Sequence, residues 1–90
     1  MAWSIRFDPR AERELAKLDQ QVQIRVLRFL RERVAPLTNP REVGEALSGP
    51  LSTFWKYRVG HFRVIVDLDR EELVVLVVRI GHRGSVYRSR

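Results

Sequence analysis

The sequence predicts an α+β domain in which two N-terminal helices pack on one face of a small, mostly antiparallel four-stranded sheet, in the order β-α-α-β-β-β. Three observations predict it. Two runs of alternating character, residues 54–59 and 62–66, are joined by Gly60-His61, a Gly-X pair that marks a two-residue hairpin. Apolar residues recur at helical spacing over residues 9–34, punctuated by Asp8-Pro9, Asp19 and Pro36. Finally, residues 73–80 form a β-branched run that is apolar on both faces.

Taken in order, Trp3, Ile5 and Phe7 alternate with Ser4 and Arg6, the period-two pattern of a strand with one buried face. Asp8 N-caps a helix and Pro9 takes its first position, where the missing N–H costs nothing. Ala11, Leu15 and Leu18 carry that helix to about Leu18. Asp19 caps a second helix with Val22, Val26, Leu27, Phe29, Leu30 and Val34 on its apolar stripe; Arg25, Arg28, Arg31 and Arg33 read as its solvated surface. Pro36 ends it, because proline removes a donor and clashes with the preceding turn. The connection 37–50 holds two prolines and two glycines, and 41–47 is expected to add a helical turn or two.

A two-residue loop at Gly60-His61 places Val59 opposite Phe62, Arg58 opposite Arg63, Tyr57 opposite Val64 and Lys56 opposite Ile65. Trp55, Tyr57, Val59, Phe62, Val64 and Val66 then share an apolar face for the helices to cover. Lys56, Arg58 and Arg63 share the other face, which is expected to stay open, with Asp67 the one carboxylate in reach. These cations read either as the solvated side of a half-buried sheet or, since two arginines directly opposite each other are unfavourable there, as a candidate polyanion site. Residues 67–71 form a polar turn into 73–80, a central strand expected to be covered on both faces. Gly81 is expected to break it before a short basic tail, 82–90.

Ninety residues make one domain, 1–90, with 44% hydrophobic and 31% charged residues, the profile of a folded soluble chain. No cysteine is present, which excludes disulfides and thiolate chemistry, and two histidines without cysteine argue against a zinc site. No cofactor is expected. The longest apolar run, 73–78, is too short to span a bilayer, and the N-terminus lacks the order of a signal peptide; a bacterial-type cytoplasmic setting is expected. Net charge is +6 with a pI near 11.0, which favours nucleic acid, the ribosome or an acidic protein as partner. From Phe54 onward the acids cluster at 67–72, so positive potential gathers on the hairpin face and the tail.

Three blocks then carry a resemblance: Leu47-Ser48-Gly49-Pro50-Leu51; Trp55-Lys56-Tyr57-Arg58-Val59-Gly60 followed by Phe62-Arg63-Val64-Ile65; and Gly81-His82-Arg83 followed by Val86-Tyr87. Together with length, charge and element order, they resemble the RelE/ParE superfamily of bacterial and archaeal toxins. The resemblance implies a RelE-like fold and the toxin of a type II toxin–antitoxin system, closer to the RelE branch. RelE-type members cut mRNA in the ribosomal A site, whereas ParE-type members inhibit DNA gyrase by binding; one fold hosts both, so fold alone does not choose. Carried over by motif, the nuclease reading implicates Lys56, Arg58 and Arg63 on the hairpin, with Arg83 and Tyr87 in the tail. It implies mRNA on the ribosome and a cognate antitoxin with an acidic or amphipathic segment as partners, with gyrase as the alternative.

The residue types suit metal-free RNA cleavage. When a 2′-oxygen attacks the adjacent phosphorus, charge grows on the non-bridging oxygens, and preorganised guanidinium forks stabilise it. Many relatives carry lysine where Arg58 stands; arginine is no base, so proton transfer falls to Lys56, Tyr87 or His82. Tyr87 suits stacking on an unpaired base or removal of the 2′-proton, and Arg83 suits neutralising the leaving 5′-oxygen. His61 reads as an exposed turn residue. No carboxylate–histidine pair stands out, which disfavours a YoeB-like acid–base mechanism.

Overall fold

The computed structural model describes residues 2–47 and 54–82. Its elements are β1 (Ser4–Phe7), α1 (Pro9–Ala16), α2 (Gln20–Phe29), a π-turn (Leu30–Val34), a 3-10 turn (Pro40–Glu42), β2 (Glu45–Ala46), β3 (Phe54–Val59), β4 (Phe62–Asp69) and β5 (Val74–His82). The strands form one mixed sheet in the order β1-β5-β4-β3-β2. Only β1 and β5 run parallel, and the two helices lie between β1 and the rest of the sheet in sequence. The α+β class therefore holds, with a fifth strand added. Glu45 and Ala46, expected within a helical segment, pair with Lys56 and Trp55 instead. The short 3-10 turn ahead of them satisfies all the helical tendency of 41–47.

The helix starts follow the side chains expected to cap them. Asp8 accepts from the Arg10 N–H at 3.0 Å and Asp19 from that of Gln21 at 3.2 Å. The ends differ: α1 stops at Ala16, and α2 gives way after Phe29 to a π-turn closed by Ala35 N–H donating to the Leu30 carbonyl at 2.9 Å. Val26, Leu30 and Val34 from this arm are buried against Tyr57, Val59, Val64, Val66, Val75, Val77 and Ile80 of the sheet, with Trp3 and Ala11. Glu14 ties α1 to β5 where β1 no longer flanks it. Its carboxylate accepts from Ile80 N–H at 2.7 Å and Arg79 Nε at 3.0 Å.

The β3–β4 hairpin has the expected register throughout: Val59 opposite Phe62, Arg58 opposite Arg63, Tyr57 opposite Val64 and Lys56 opposite Ile65. Gly60 has φ +61° and His61 does not share the positive φ, the pattern of a type II′ turn, which calls for glycine at that position. β5 departs from expectation at both ends. Leu73 sits before it at φ +56°, a left-handed conformation unfavourable for leucine by about 1–2 kcal/mol. Its carbonyl accepts from Ser4 N–H at 2.8 Å and its side chain packs on the core, which offsets the strain. At the other end Gly81 does not break the strand, since β4 pairs with it through His82.

A shift in the β4–β5 register between Ile65 and Val66 skips Val78, and this keeps Val75, Val77 and Ile80 together in the core despite their uneven spacing. Helices cover one face of β5 only. Val74 and Leu76, on the other, are half-buried, so the continuous apolar run does not mean two covered faces here.

Candidate nucleic-acid interface

β3 and β4 alternate strictly, so one set of side chains enters the core and the other, Lys56, Arg58 and Arg63, lies on the face away from the helices. That face is not uniformly open. Arg58 is exposed, Lys56 is half-buried, and Arg63 is only 6% exposed. The cause is position in the sheet: β4 is the third strand of five, and Arg63 stands between Arg58 on β3 and Gly81 on β5. Gly81 contributes no side chain, which leaves room for the guanidinium. Among the described residues no salt bridge reaches Arg58 or Arg63.

Lys56 is different. β2 delivers Glu45 directly opposite it, and the two charges meet at 3.3 Å. Asp67, expected to be the one carboxylate in reach, lines a separate groove, and pairing of β2, invisible to local patterning, brings Glu45 to the cluster instead. The pair is largely solvated on its Glu45 side, so it orients the ammonium more than it stabilises the fold.

Lys56, Arg58 and Arg63 open on a cleft of about 360 Å³ that they share with Phe29, Arg33, Val43, Gly44 and Glu45. It lies at the β3 edge, where the two-residue β2 stops. The cationic sheet face supplies one part of the lining, and the end of α2 with its π-turn supplies another. The loop 39–45 closes a third side and is fixed tightly. Asn39 caps its 3-10 turn, Tyr57 Oη donates to the Pro40 carbonyl at 2.9 Å, and Trp55 Nε1 donates to that of Val43 at 2.9 Å. The Arg41 guanidinium lies 5.5 Å over the Trp55 ring. Gly44, at φ +85°, presses so close to β3 that a Cβ there would stand 2.4 Å from the Lys56 carbonyl oxygen. Tyr57 itself is wholly buried, and burial pushes its phenol well above the ordinary range, so it is a strut and not a proton carrier.

Five cleft residues were not among the expected site residues: Val43, Gly44 and Glu45 of the loop, and Phe29 and Arg33 at the helix end. Arg33 is exposed and Phe29 packs against the core, as periodicity predicts, and both also line the cleft. Their four-residue spacing was the available signal; what periodicity lacks is the π-turn, which changes the facing of the helix end. Arg28 and Arg31 are exposed, as expected, and Arg25 reaches the hairpin tip beside Gly60. His82 pairs with Phe62 across the strands, its ring edge-on to that of Phe62 at 5.4 Å and stacked with His61 at 6.3 Å. This cluster sits at the hairpin tip and does not line the cleft. Arg83, Tyr87 and the Ser48–Leu51 part of the first motif block lie outside the described residues. Among the described residues no group of three metal-ligating side chains converges, and no helix is long and apolar enough to cross a membrane.

An α+β domain of this topology, with a cationic cleft between its central hairpin and the end of its second helix, defines a small toxin fold, and the chain belongs to that family. Residues 5–87 match the ParE toxin of type II toxin–antitoxin systems, which places the protein among the type II toxins of the RelE/ParE superfamily. It is 30% identical over 88 residues to Toxin RelG of Mycobacterium tuberculosis strain H37Rv, covering 98% of this chain and 99% of that one. The fold superposes on the toxin–antitoxin complex RelBE2 of Mycobacterium tuberculosis with TM-score 0.84 at 28% identity, covering 92% and 100% of the two chains. For the isolated E. coli RelE toxin the TM-score is 0.73 at 27% identity, covering 97% and 93%.

Proposed function

We propose that this toxin is a metal-independent, ribosome-dependent mRNA endoribonuclease acting in the A site. The observation that carries the reading is Arg63: a guanidinium 6% exposed, beside a second arginine, facing a cleft, with no salt-bridge partner among the described residues. A buried cation is costly without a counter-charge, and a phosphate supplies one. Arg63 and Arg58 hold the non-bridging oxygens of the scissile phosphate and Lys56 approaches from the rim. The 2′-oxygen, giving up its proton to Lys56, Tyr87 or His82, forms its bond to phosphorus as the bond to the 5′-oxygen breaks, and the 5′-oxygen takes a proton from the same set of groups or from water, leaving a 2′,3′-cyclic phosphate and a 5′-hydroxyl. Charge grows on the phosphoryl oxygens during this step, so fixed guanidiniums favour the transition state over the ground state. Arg83 and Tyr87 complete the site in this reading, Arg83 at the leaving oxygen and Tyr87 at the base or the 2′-proton.

Such a toxin acts in the cytoplasm and needs a neutralising partner. Similar toxins have been solved as RelBE and RelE–RelB complexes. For this chain an antitoxin with an acidic, amphipathic segment suits the basic cleft.

A second reading, a ParE-type gyrase inhibitor acting by binding, draws support from the ParE family match. One experiment separates the two: purified protein is added to ribosomes programmed with a defined A-site codon, new mRNA 5′ ends are mapped, and gyrase supercoiling is assayed in parallel. Cuts confined to the A-site codon, indifferent to chelator and absent from an Arg83→Ala, Tyr87→Phe double variant, are expected. Inhibited supercoiling without cuts would place the protein in the gyrase branch.

A further inference from the structure

We propose that Phe29 and Arg33, the helical wall of the cleft, form the seat for the nucleotide next to the attacked phosphate, with Phe29 stacking on its base and Arg33 holding its phosphate. This rests on the reading of the cleft as an RNA site and extends it across from the sheet.

Four observations carry the assignment. First, two elements make the cleft cationic: Arg33 of the helix end joins Lys56, Arg58 and Arg63 of the sheet in its lining, and among the described residues the one carboxylate lining it, Glu45, is engaged with Lys56. Three cations of the sheet suffice for the attacked phosphate, which leaves the helical guanidinium for the next one. Second, Arg33 lies in the π-turn, closed by the Ala35-to-Leu30 hydrogen bond. Such turns cost hydrogen-bond geometry and recur at functional sites. Third, Phe29 is half-buried and tilted 58° against Tyr57 at 5.7 Å, so the core fixes the ring while part of it lines the cleft. An aromatic ring interleaved with guanidiniums is the pattern that takes unpaired bases and their phosphates, since every base has a face to stack. Fourth, about 360 Å³ lies at the low end of the range of small-ligand sites, enough for one nucleotide and its phosphate.

The wall is also held rigidly. Phe29 leans on Tyr57, Tyr57 is anchored to Pro40, and Gly44 abuts the Tyr57 ring. A seat built this way requires little ordering when RNA arrives.

The test uses the purified full chain and a short single-stranded RNA, with affinity measured from 50 to 300 mM salt for the wild type, Arg33→Ala, Phe29→Leu, Arg58→Ala and the exposed-helix control Arg28→Ala. Arg33→Ala is expected to weaken binding and to flatten the log–log salt dependence by about 0.7, the value of one lost phosphate contact on a single strand. Phe29→Leu keeps an apolar side chain of similar bulk in the core; it is expected to weaken binding roughly tenfold with no change in salt slope, as loss of stacking does. Arg28→Ala should match the wild type. Loss of binding in Arg58→Ala with unchanged affinity in both Arg33→Ala and Phe29→Leu overturns this proposal and leaves the nuclease reading intact. Absence of RNA binding by the wild type overturns this proposal, while the nuclease reading is decided separately by the cuts mapped on programmed ribosomes. Competition by oligoglutamate that depends on Arg33 and Phe29, with RNA binding indifferent to both, assigns the wall to an acidic protein segment instead and also overturns the proposal. Melting temperatures within a few degrees of the wild type certify that each variant is folded.

Discussion

At Arg63 the proposed function sets stability and activity against each other. The side chain is 6% exposed and has no salt bridge among the described residues, so its charge opposes folding, and in the proposed reading it binds the phosphate. Arg63→Met, similar in reach and uncharged, is therefore expected to leave stability unchanged or raise it by up to about 1 kcal/mol, while abolishing growth arrest on expression. Thermal unfolding beside a toxicity assay checks this, and a destabilised Arg63→Met protein would mean that the guanidinium is structural. Tyr57 is the converse case. Replacing it by Phe leaves the Pro40 carbonyl without its donor at a buried site, a loss of about 1–3 kcal/mol. Because burial raises the phenol above its ordinary 10.0, the native state keeps a proton that the unfolded chain gives up. This contribution is fully present below pH 10 and declines as pH rises through the native value. Wild type should accordingly lose more stability than Tyr57→Phe between pH 9.5 and 11, read as a difference in denaturation midpoints.

Among the elements, the loop 39–45 and β2 do most to shape the cleft and were least legible. Asn39-Pro40 and Gly44 mark turns in the sequence, yet nothing local says that Glu45 and Ala46 will pair with β3. That pairing depends on Gly44, whose positive φ and contact with the Lys56 carbonyl leave no space for a side chain. Gly44→Ala is expected to cost more than about 2 kcal/mol, combining the left-handed penalty with the clash, and to detach Glu45 from Lys56. Hydrogen exchange should show faster exchange at residues 45–47 with the β4–β5 ladder unchanged. A melting temperature equal to the wild type would refute this account of the loop. The hairpin was legible throughout, because a two-residue turn and a period of two leave a single register that buries Trp55, Tyr57, Val59, Val64 and Val66 together. The π-turn was not, since its one extra residue per turn carries no compositional signal.

For the whole molecule the decisive property is the distribution of charge. A net +6 is focused where Arg33, Lys56, Arg58 and Arg63 converge, while Asp67, Asp69 and Glu72 gather about a separate surface groove with Arg6. Charge is thus unevenly spread, which under the proposed function would steer an anionic chain toward the cleft. Arg58, Arg63 and Lys56 on the scissile phosphate and Arg33 on its neighbour engage two phosphates, which predicts a log–log salt dependence of RNA affinity with a slope of about −1.4, at about 0.7 per phosphate on a single strand. Titration from 50 to 300 mM salt measures it, and a slope near zero would exclude phosphate contacts as the source of affinity.

The sequence by itself determined the α+β class, both helix N-caps, the hairpin with its register, and the family, because each is written in contacts between near neighbours: a capping side chain, a turn dipeptide, a period of two. It also determined that Lys56, Arg58 and Arg63 share a face. Only the tertiary structure decided that Arg63 is buried beside Gly81, that Glu45 reaches Lys56, and that Phe29 and Arg33 line one cleft with the arginines. Those are meetings of residues 11 to 34 positions apart in the chain, fixed by strand order and by a helix end that leaves its 3.6 period, and no local pattern encodes them.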